Sequence, residues 1–335
     1  MTEFNAIFGL GLCSGGLDSI LSALVLRDQG LNVHWVAFET PFFSAANAKK
    51  AARQTGISLR VENITDVYME MLRSPSVRYG KNMNPCMDCH ALMFRLAGEI
   101  MRKNGFHFLF SGEVLGQRPM SQNRTSLRYV EKQSGFDGYI LRPLSAKCLP
   151  ETLAEQNGWV NREKLLDISG RSRKPQMELA RHYGITDFPA PAGGCLLTDK
   201  MFSQRLRDLL AHQADADAAI PERTLHLLKF GRHLRLDTRT KIIVGRTQKD
   251  NEMIQQNVDL KQDQVLKVKN YPGPLVVIPG KADDAIQELA ARICAGYSKA
   301  PENMPVTVSV CCSDGDTSVT VLGLPPSESR QYLIG

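Results

Sequence analysis

No run of about 18 consecutive apolar residues occurs in the 335-residue chain, so nothing in it reads as a membrane-spanning helix. The opening Met-Thr-Glu-Phe-Asn does not read as a secretory signal either, and a soluble, cytoplasmic protein without membrane contact is expected. Internal repeats and low-complexity tracts are missing too, which sets aside repeat arrays. Charge imbalance is small. The formal net charge of +6 permits nucleic-acid contact without requiring it. What the chain does have is length enough for two domains, each with its own core, and eight cysteines. In a cytoplasmic setting these read as metal-binding or catalytic thiols, not as a disulfide framework.

Two further absences narrow the stretch from Ala6 to Leu26. Its apolar run to Leu12 predicts a buried strand, Ser14 to Gly16 a tight loop, and Asp18 onward a helix with apolar positions at Leu17, Leu21, Leu24 and Val25. Strand, glycine loop and helix N-terminus together favour an anion. A Walker loop would need Lys where Leu17 stands, and a dinucleotide fingerprint begun at Gly9 and Gly11 would need glycine at Ser14. Both common nucleotide readings fail. What remains, Ser14-Gly-Gly-Leu-Asp-Ser19, resembles the pyrophosphate loop (PP-loop) of the ATPases that split ATP into AMP and pyrophosphate, and matches its Ser-Gly-Gly-x-Asp-Ser at every fixed position. The resemblance implies that Ser14, Gly15, Gly16, Asp18 and Ser19 bind ATP and that Asp18 orients Mg2+.

Farther along, a strand is expected over Val33–Phe38, a helix over Ala45–Thr55 stopped by Gly56, a strand over Ile57–Val61 and a helix from Asp66 to Ser74, before Pro75. This alternation predicts an α/β fold with a doubly wound parallel sheet, Rossmann-like as in the adenine nucleotide alpha hydrolases, with ligands beyond the strands' carboxyl ends. Cys86 and Cys89 then stand in Asn84-Pro-Cys-Met-Asp-Cys-His90, ahead of an apolar-periodic helix over Ala91–Asn104. Their spacing suits one ion or cluster, or a disulfide, with a helix N-terminus nearby to lower thiol pKa values; two cysteines buried at an irregular turn would look the same. His90 is either a further ligand or a cap for its own helix.

Asn84-Pro-Cys-x-x-Cys-His90 resembles the Asn-Pro-x-x-x-Cys-Asn element of the tRNA 2-thiouridylases, with His90 in place of their Asn. After a strand over Phe106–Phe110, Ser111-Gly-Glu-Val-Leu-Gly-Gln117 is similar to the Thr-Gly-Glu-Ser-Leu-Gly-Gln of the tRNA 4-thiouridine synthetases, echoed again at Leu141-Arg-Pro-Leu144. Arg118, Arg124, Arg128 and Lys132 follow that loop and suit phosphates, or a solvated face. Arg171 to Gly184 resembles the helix that precedes the catalytic cysteine of the 2-thiouridylases, and Cys195, after Gly193 and Gly194, stands where that cysteine would be. As a class, then, the chain resembles the tRNA sulfurtransferases. The implied partners are tRNA and a sulfur donor: a cysteine desulfurase, a sulfur carrier or sulfide.

Cys86, Cys89 and Cys195 are therefore expected around one ATP site, where two chemistries compete. Either Cys195 carries a persulfide that Cys89 or Cys86 resolves, or all three ligate a [4Fe-4S] cluster with an open iron; the count of three favours the cluster. A zinc site would need a fourth ligand such as His90. Cys13, Cys148, Cys294, Cys311 and Cys312 belong to no motif and are expected to pack. Rival functions are adenylation with ammonia or a small-molecule acceptor, and non-catalytic RNA binding with a degenerate loop.

A first domain is expected over residues 1–212, with a helix over Met201–His212, and Pro221 as the linker to a second over 221–335. There short strands over 234–236, 241–244, 265–268, 275–278, 306–310 and 318–322, with one helix over 283–295, predict a small α+β domain. Lys229, Arg232, His233, Arg235, Arg239, Lys241, Arg246 and Lys249 crowd its start, and alternation would place several on one strand face against phosphates. Phe230-Gly-Arg-His-Leu-Arg-Leu and Lys241-Ile-Ile-Val-Gly-Arg resemble an RNA-binding domain of ribosome quality-control factors.

Overall fold

A computed structural model describes residues 6–190, 195–215, 218–313 and 315–335. They divide into two compact units, one up to Thr198 and one from Asp199, so the helix over 200–211 groups with the second. Among the described residues no helix is long and apolar enough to cross a membrane.

The first unit alternates as the sequence requires: β1 (Phe8–Leu12), α1 (Leu17–Arg27), β2 (Asn32–Glu39), α2 (Ala46–Thr55), β3 (Leu59–Asn63), α3 (Thr65–Arg73), α4 (Cys86–Asn104), β4 (Phe108–Ser111), α5 (Arg124–Ser134), β5 (Ile140–Leu141), the short α6 (Leu153–Gln156) and α7 (Lys174–His182). Five parallel strands run in the order β3-β2-β1-β4-β5, so the chain changes direction across the sheet between β1 and β4. Here ligands gather in doubly wound sheets. Alternate residues of β2 and β4, Trp35, Ala37, Phe108 and Phe110, enter a core shared with α1, α2 and α7, while α4 packs across β1 and β4. Gly9 and Gly11 have a packing reason: a Cβ there would lie 2.7 Å from the Phe108 ring and 2.3 Å from the Phe110 ring.

Helix α4 is the main departure from expectation. It starts at Cys86, not Ala91, because Pro85 already occupies the N-cap and its carbonyl accepts from Cys89 N at 2.8 Å. Both cysteines thus lie in the helix's first turn, three residues apart and on one side.

In the second unit α8 (Lys200–Ala211), α9 (Glu222–Leu227), β6 (Arg232–Arg235), β7 (Lys241–Val244), α10 (Gln248–Gln256), β8 (Gln264–Val268), β9 (Val276–Ile278), α11 (Asp284–Gly296), β10 (Val306–Cys312) and β11 (Gly315–Val321) build an antiparallel sheet in the order β11-β10-β8-β9-β7-β6. Leu234, Ile242 and Val244 pack with α11 on one face, and Ile243 joins Leu227 and Ile254 on the other. An α/β architecture with a separate antiparallel α+β unit is therefore what the chain adopts.

Candidate active site

The loop after β1 is shaped by one backbone requirement. Gly15 has φ +73°, and a Cβ on it would lie 2.1 Å from the backbone of Asn47, so α2 comes up against the loop and only glycine fits. Gly16 is the N-cap of α1 with no side chain capping it; its amide donates to Ser14 Oγ at 3.3 Å, and Ser19 Oγ donates to its carbonyl at 2.8 Å. The helix's first turn is left to meet an anion. Asp18 lies in that turn, with Oδ2 accepting from Gln117 Nε2 at 2.7 Å and a buried Oδ1 without a protein partner. An orphaned carboxylate oxygen beside an uncapped helix N-terminus fits Mg2+, which takes one or two carboxylates and fills its shell with phosphate and water.

The stretch Ser111–Gln117 ties this loop to the cysteine helix. At one end, a Cβ on Gly112 would lie 2.3 Å from the backbone of Asp18. At the other, Gln117 grips Asp18 and accepts in turn from Gln176 Nε2 of α7 at 2.9 Å. Between them the buried Glu113 sits 2.9 Å from His90 Nδ1 on α4 and accepts from Arg142 Nε at 3.0 Å. Burial alone would raise the Glu113 carboxyl, but Arg142 and His90 overcome it and hold it at about 2. His90 lies inside α4, past its first residue, and turns Nδ1 to a carboxylate instead of capping the helix. It faces Glu113.

The residues just after Cys195 are tied to Phe42 and to the segment that leads into α4. Leu196 N donates to Phe42 O at 3.1 Å, Met83 N to Leu197 O at 3.2 Å, and Asn82 Nδ2 to Thr198 O at 2.6 Å. Gly193 and Gly194, expected to free Cys195, lie outside the described residues. Cys86 is exposed and accepts from Asn84 Nδ2 at 3.3 Å, whereas Cys89 and Cys195 are half-buried. All three thiols lie within reach of one another's charge, and the Tyr68 hydroxyl bonds Cys89. The helix N-terminus does not lower Cys89 as expected. Burial, with the neighbouring cysteines adding to it, pushes Cys89 up to about 12; burial pushes Cys195 up to about 11. Both are protonated at neutral pH.

Residues 6–148 match the family model of the thiamine biosynthesis protein (ThiI), and residues 231–333 that of the NFACT protein RNA binding domain. A probable tRNA sulfurtransferase of Thermoanaerobacter sp. is 32% identical over 142 residues, which are 40% of this chain and 35% of that protein. The resemblance to the PP-loop tRNA sulfurtransferases holds. A tRNA-specific 2-thiouridylase MnmA of Sulfurimonas denitrificans is also 32% identical, over 30% of this chain and 33% of its own. The chain spans about a third of the length of the curated relatives it matches. Among solved structures, a 4-thiouridine synthetase–RNA complex with bound ATP aligns at 19% identity and a TM-score of 0.34, covering 54% of each chain.

Within the first unit the expected residues sort themselves. Ser14 to Ser19 form one cradle, and Cys86, Cys89 and Cys195 form one thiol cluster. For a [4Fe-4S] cluster the donor type is right, but among the described residues no three His, Cys, Asp or Glu side chains are arranged to hold a metal ion. Tyr68, Gln117, Gln176 and Arg142 were not singled out by the sequence. For Gln117 and Arg142 a signal existed, the end of the Ser-Gly-Glu-Val-Leu-Gly-Gln motif and the Leu141-Arg-Pro-Leu144 stretch; Tyr68 and Gln176 act through long-range contacts that local pattern does not carry.

The basic run of the second unit is largely spoken for and does not share one face. Arg235 clamps Asp208 through Nη2 at 2.5 Å and Nε at 3.1 Å, and Arg246 Nε donates to Asp250 at 2.8 Å. Lys229 Nζ lies 2.7 Å from His226 Nδ1, and the Arg232 guanidinium stands 4.8 Å from the Tyr297 ring centroid, on the face opposite Arg235. Lys241 and His233 are buried. Burial, and then Lys241 and Arg205, hold His233 well below its ordinary value, so it is neutral. Arg239 and Lys249 stay exposed, and neither forms an ion pair with a described residue. Of the remaining cysteines only Cys13 and Cys294 are buried; Cys148, Cys311 and Cys312 are half-buried.

Proposed function

We propose that this chain is an ATP-dependent tRNA sulfurtransferase working in the cytoplasm. The observation that carries the reading is the Ser111–Gln117 loop, bonded to Asp18 at one end and, through Glu113, to His90 beside Cys89. A nucleotide-activating site and a thiol cluster are thereby fastened to one rigid segment. ATP binds with its β- and γ-phosphates on the Ser14–Ser19 loop. A uridine carbonyl oxygen attacks the α-phosphate, pyrophosphate leaves, and the base carbon becomes electrophilic. Mg2+, when bound, offsets phosphate charge, and Asp18 would hold it.

Sulfur then comes from the cysteines. The terminal sulfur of a Cys195 persulfide, loaded by an outside donor, attacks the activated carbon, and AMP leaves with the former carbonyl oxygen. Cys86, exposed at the first residue of α4, attacks the Cys195 sulfur, forming a disulfide and releasing the thiolated base; an external thiol must reduce that disulfide. No step is routed through a [4Fe-4S] cluster. Adenylation with ammonia or a small acceptor would leave the thiol cluster idle. The second unit docks RNA, a reading supported by its match to an RNA-binding family.

The test uses purified protein, ATP and unfractionated tRNA from cells lacking the protein. Wild-type protein with a persulfide donor and a reducing thiol should release pyrophosphate and yield a thiolated uridine by nucleoside mass spectrometry, and Asp18→Ala should do neither while melting like wild type. Pyrophosphate release by Asp18→Ala at the wild-type rate would remove the loop from the mechanism.

A further inference from the structure

Directly after Gln117 the chain makes a tip with an unusual surface. Met120 is 81% exposed, and Arg118 and Arg124 flank it, both exposed and without an ion pair to any described residue. A thioether gains free energy on leaving water, yet the backbone here holds this one out. Ser121 N and Gln122 N donate to Arg118 O at 3.2 and 2.8 Å, Gly116 N donates to Gln122 O at 2.7 Å, and Asn123 Nδ2 donates to Pro119 O at 2.8 Å. Asn123 Oδ1 caps α5 by accepting from Ser126 N at 2.8 Å, and Ser126 Oγ donates to the carbonyl of Met120 itself at 3.1 Å. The tip is braced on both sides of Met120, with Ser121 and Gln122 buried beneath it.

Its place matters as much as its rigidity. The tip grows from the carboxyl end of β4, and its first residue follows the glutamine that holds Asp18. A polymer that brings one base to the phosphate cradle must pass this side of the sheet. Two unpaired guanidiniums suit phosphates, and an apolar wedge between them suits the face of an unstacked base.

Resting on the sulfurtransferase reading, we propose that residues 118–124 form an RNA contact: Arg118 and Arg124 take phosphates flanking the reacting nucleotide, and Met120 packs against the neighbouring base and keeps it unstacked. A protein partner, such as a sulfur carrier, would need acidic groups for the arginines and would not need a wedge.

The test places p-benzoylphenylalanine at Met120 or, as control, at the exposed Asn104, which precedes β4 at the opposite end of the sheet. Each full-length protein is irradiated with unfractionated tRNA from cells lacking the protein. A crosslink to tRNA from position 120 and none from 104 is the expected result; equal crosslinking from both, none from 120, or crosslinks only to polypeptide in a cell extract would overturn it. Arg118→Ala with Arg124→Ala should lower the magnitude of the log–log salt slope for tRNA binding by about 1.4 to 1.8. Met120→Ala should weaken binding with the slope unchanged. Both variants should keep wild-type ATP affinity. If wild-type protein crosslinks at 120 yet releases no pyrophosphate with tRNA, the reaction assignment fails and the tip assignment stands; if it releases pyrophosphate with tRNA and does not crosslink at 120, the tip assignment fails and the reaction assignment stands.

Discussion

Glu113 is where a single atom group holds two functional elements together. It is buried between Arg142 and His90, and Arg142 also reaches Glu131. A carboxyl ordinarily near 4.5 and held at about 2 in the folded state contributes stability that is fully present above pH 4.5 and is lost as pH falls toward 2, on the order of 3 kcal/mol. Urea unfolding of wild type should show that loss between pH 4.5 and 2; Glu113→Gln should lack it and unfold about 3 kcal/mol more easily at pH 7, because Arg142 is left buried and unpaired. Equal stabilities at pH 7 would mean that the pair does not form. The thiols differ in the same concrete way. Cys195→Ala and Cys86→Ala should abolish thiolation while pyrophosphate release continues, whereas Cys89→Ala, which loses only a half-buried thiol bonded to Tyr68, should retain turnover. Iron measured in anaerobically purified protein separates this from the cluster: about four per chain, lost when any one of the three is replaced, would displace the persulfide route.

Strand β7 carries the clearest element-scale prediction. Lys241 enters the sheet opposite Arg235, but its Nζ is buried without a hydrogen-bond partner, and burial, then Arg235 and Arg205, bring it down to about 8 against the upward pull of Asp208. Between pH 8 and 10.5 the folded chain has released a proton that the unfolded chain still holds, so stability rises with pH there. Lys241→Met should flatten that rise and stabilise the protein at pH 7 by on the order of 2 kcal/mol, read from urea midpoints at both pH values. The same lysine shows what the sequence hid. Alternation in β6 and β7 was legible, as were nearly all strands and the PP-loop, because each depends on neighbours within a few residues. Which basic side chains meet Asp208 or Asp250, and that Glu113 faces His90, depend on residues tens of positions apart. Pro85 was legible in principle as a helix start, yet a cysteine pair ahead of an apolar period reads as a loop until the backbone is seen.

At the scale of the whole molecule, RNA contact should be electrostatic and spread over both units. Arg239 and Lys249 are exposed cations of the second unit's basic run without an ion pair to a described residue, while Arg246 is held by Asp250 and Arg235 by Asp208. Replacing Arg239 and Lys249 by Ala should lower the magnitude of the salt slope for tRNA by about 0.7 to 0.9 per lost contact, measured by filter binding across salt concentrations; Arg235→Ala should act through stability instead. An unchanged slope in the double variant would leave those two cations as solvated surface.

Strand order has a last consequence, for synthesis. Leu10 lies between His34 and Leu109, so one flank of β1 finds its partner soon after translation and the other only about a hundred residues later. At about 5–20 residues per second the open flank waits roughly 5–20 s on the ribosome. During that interval the bare backbone at Gly9 and Gly11, with no phenylalanine rings yet beside it, is available to any passing strand. Synonymous codons that slow elongation between β3 and β4 should therefore cut soluble yield without altering the finished protein, and added chaperone should restore it.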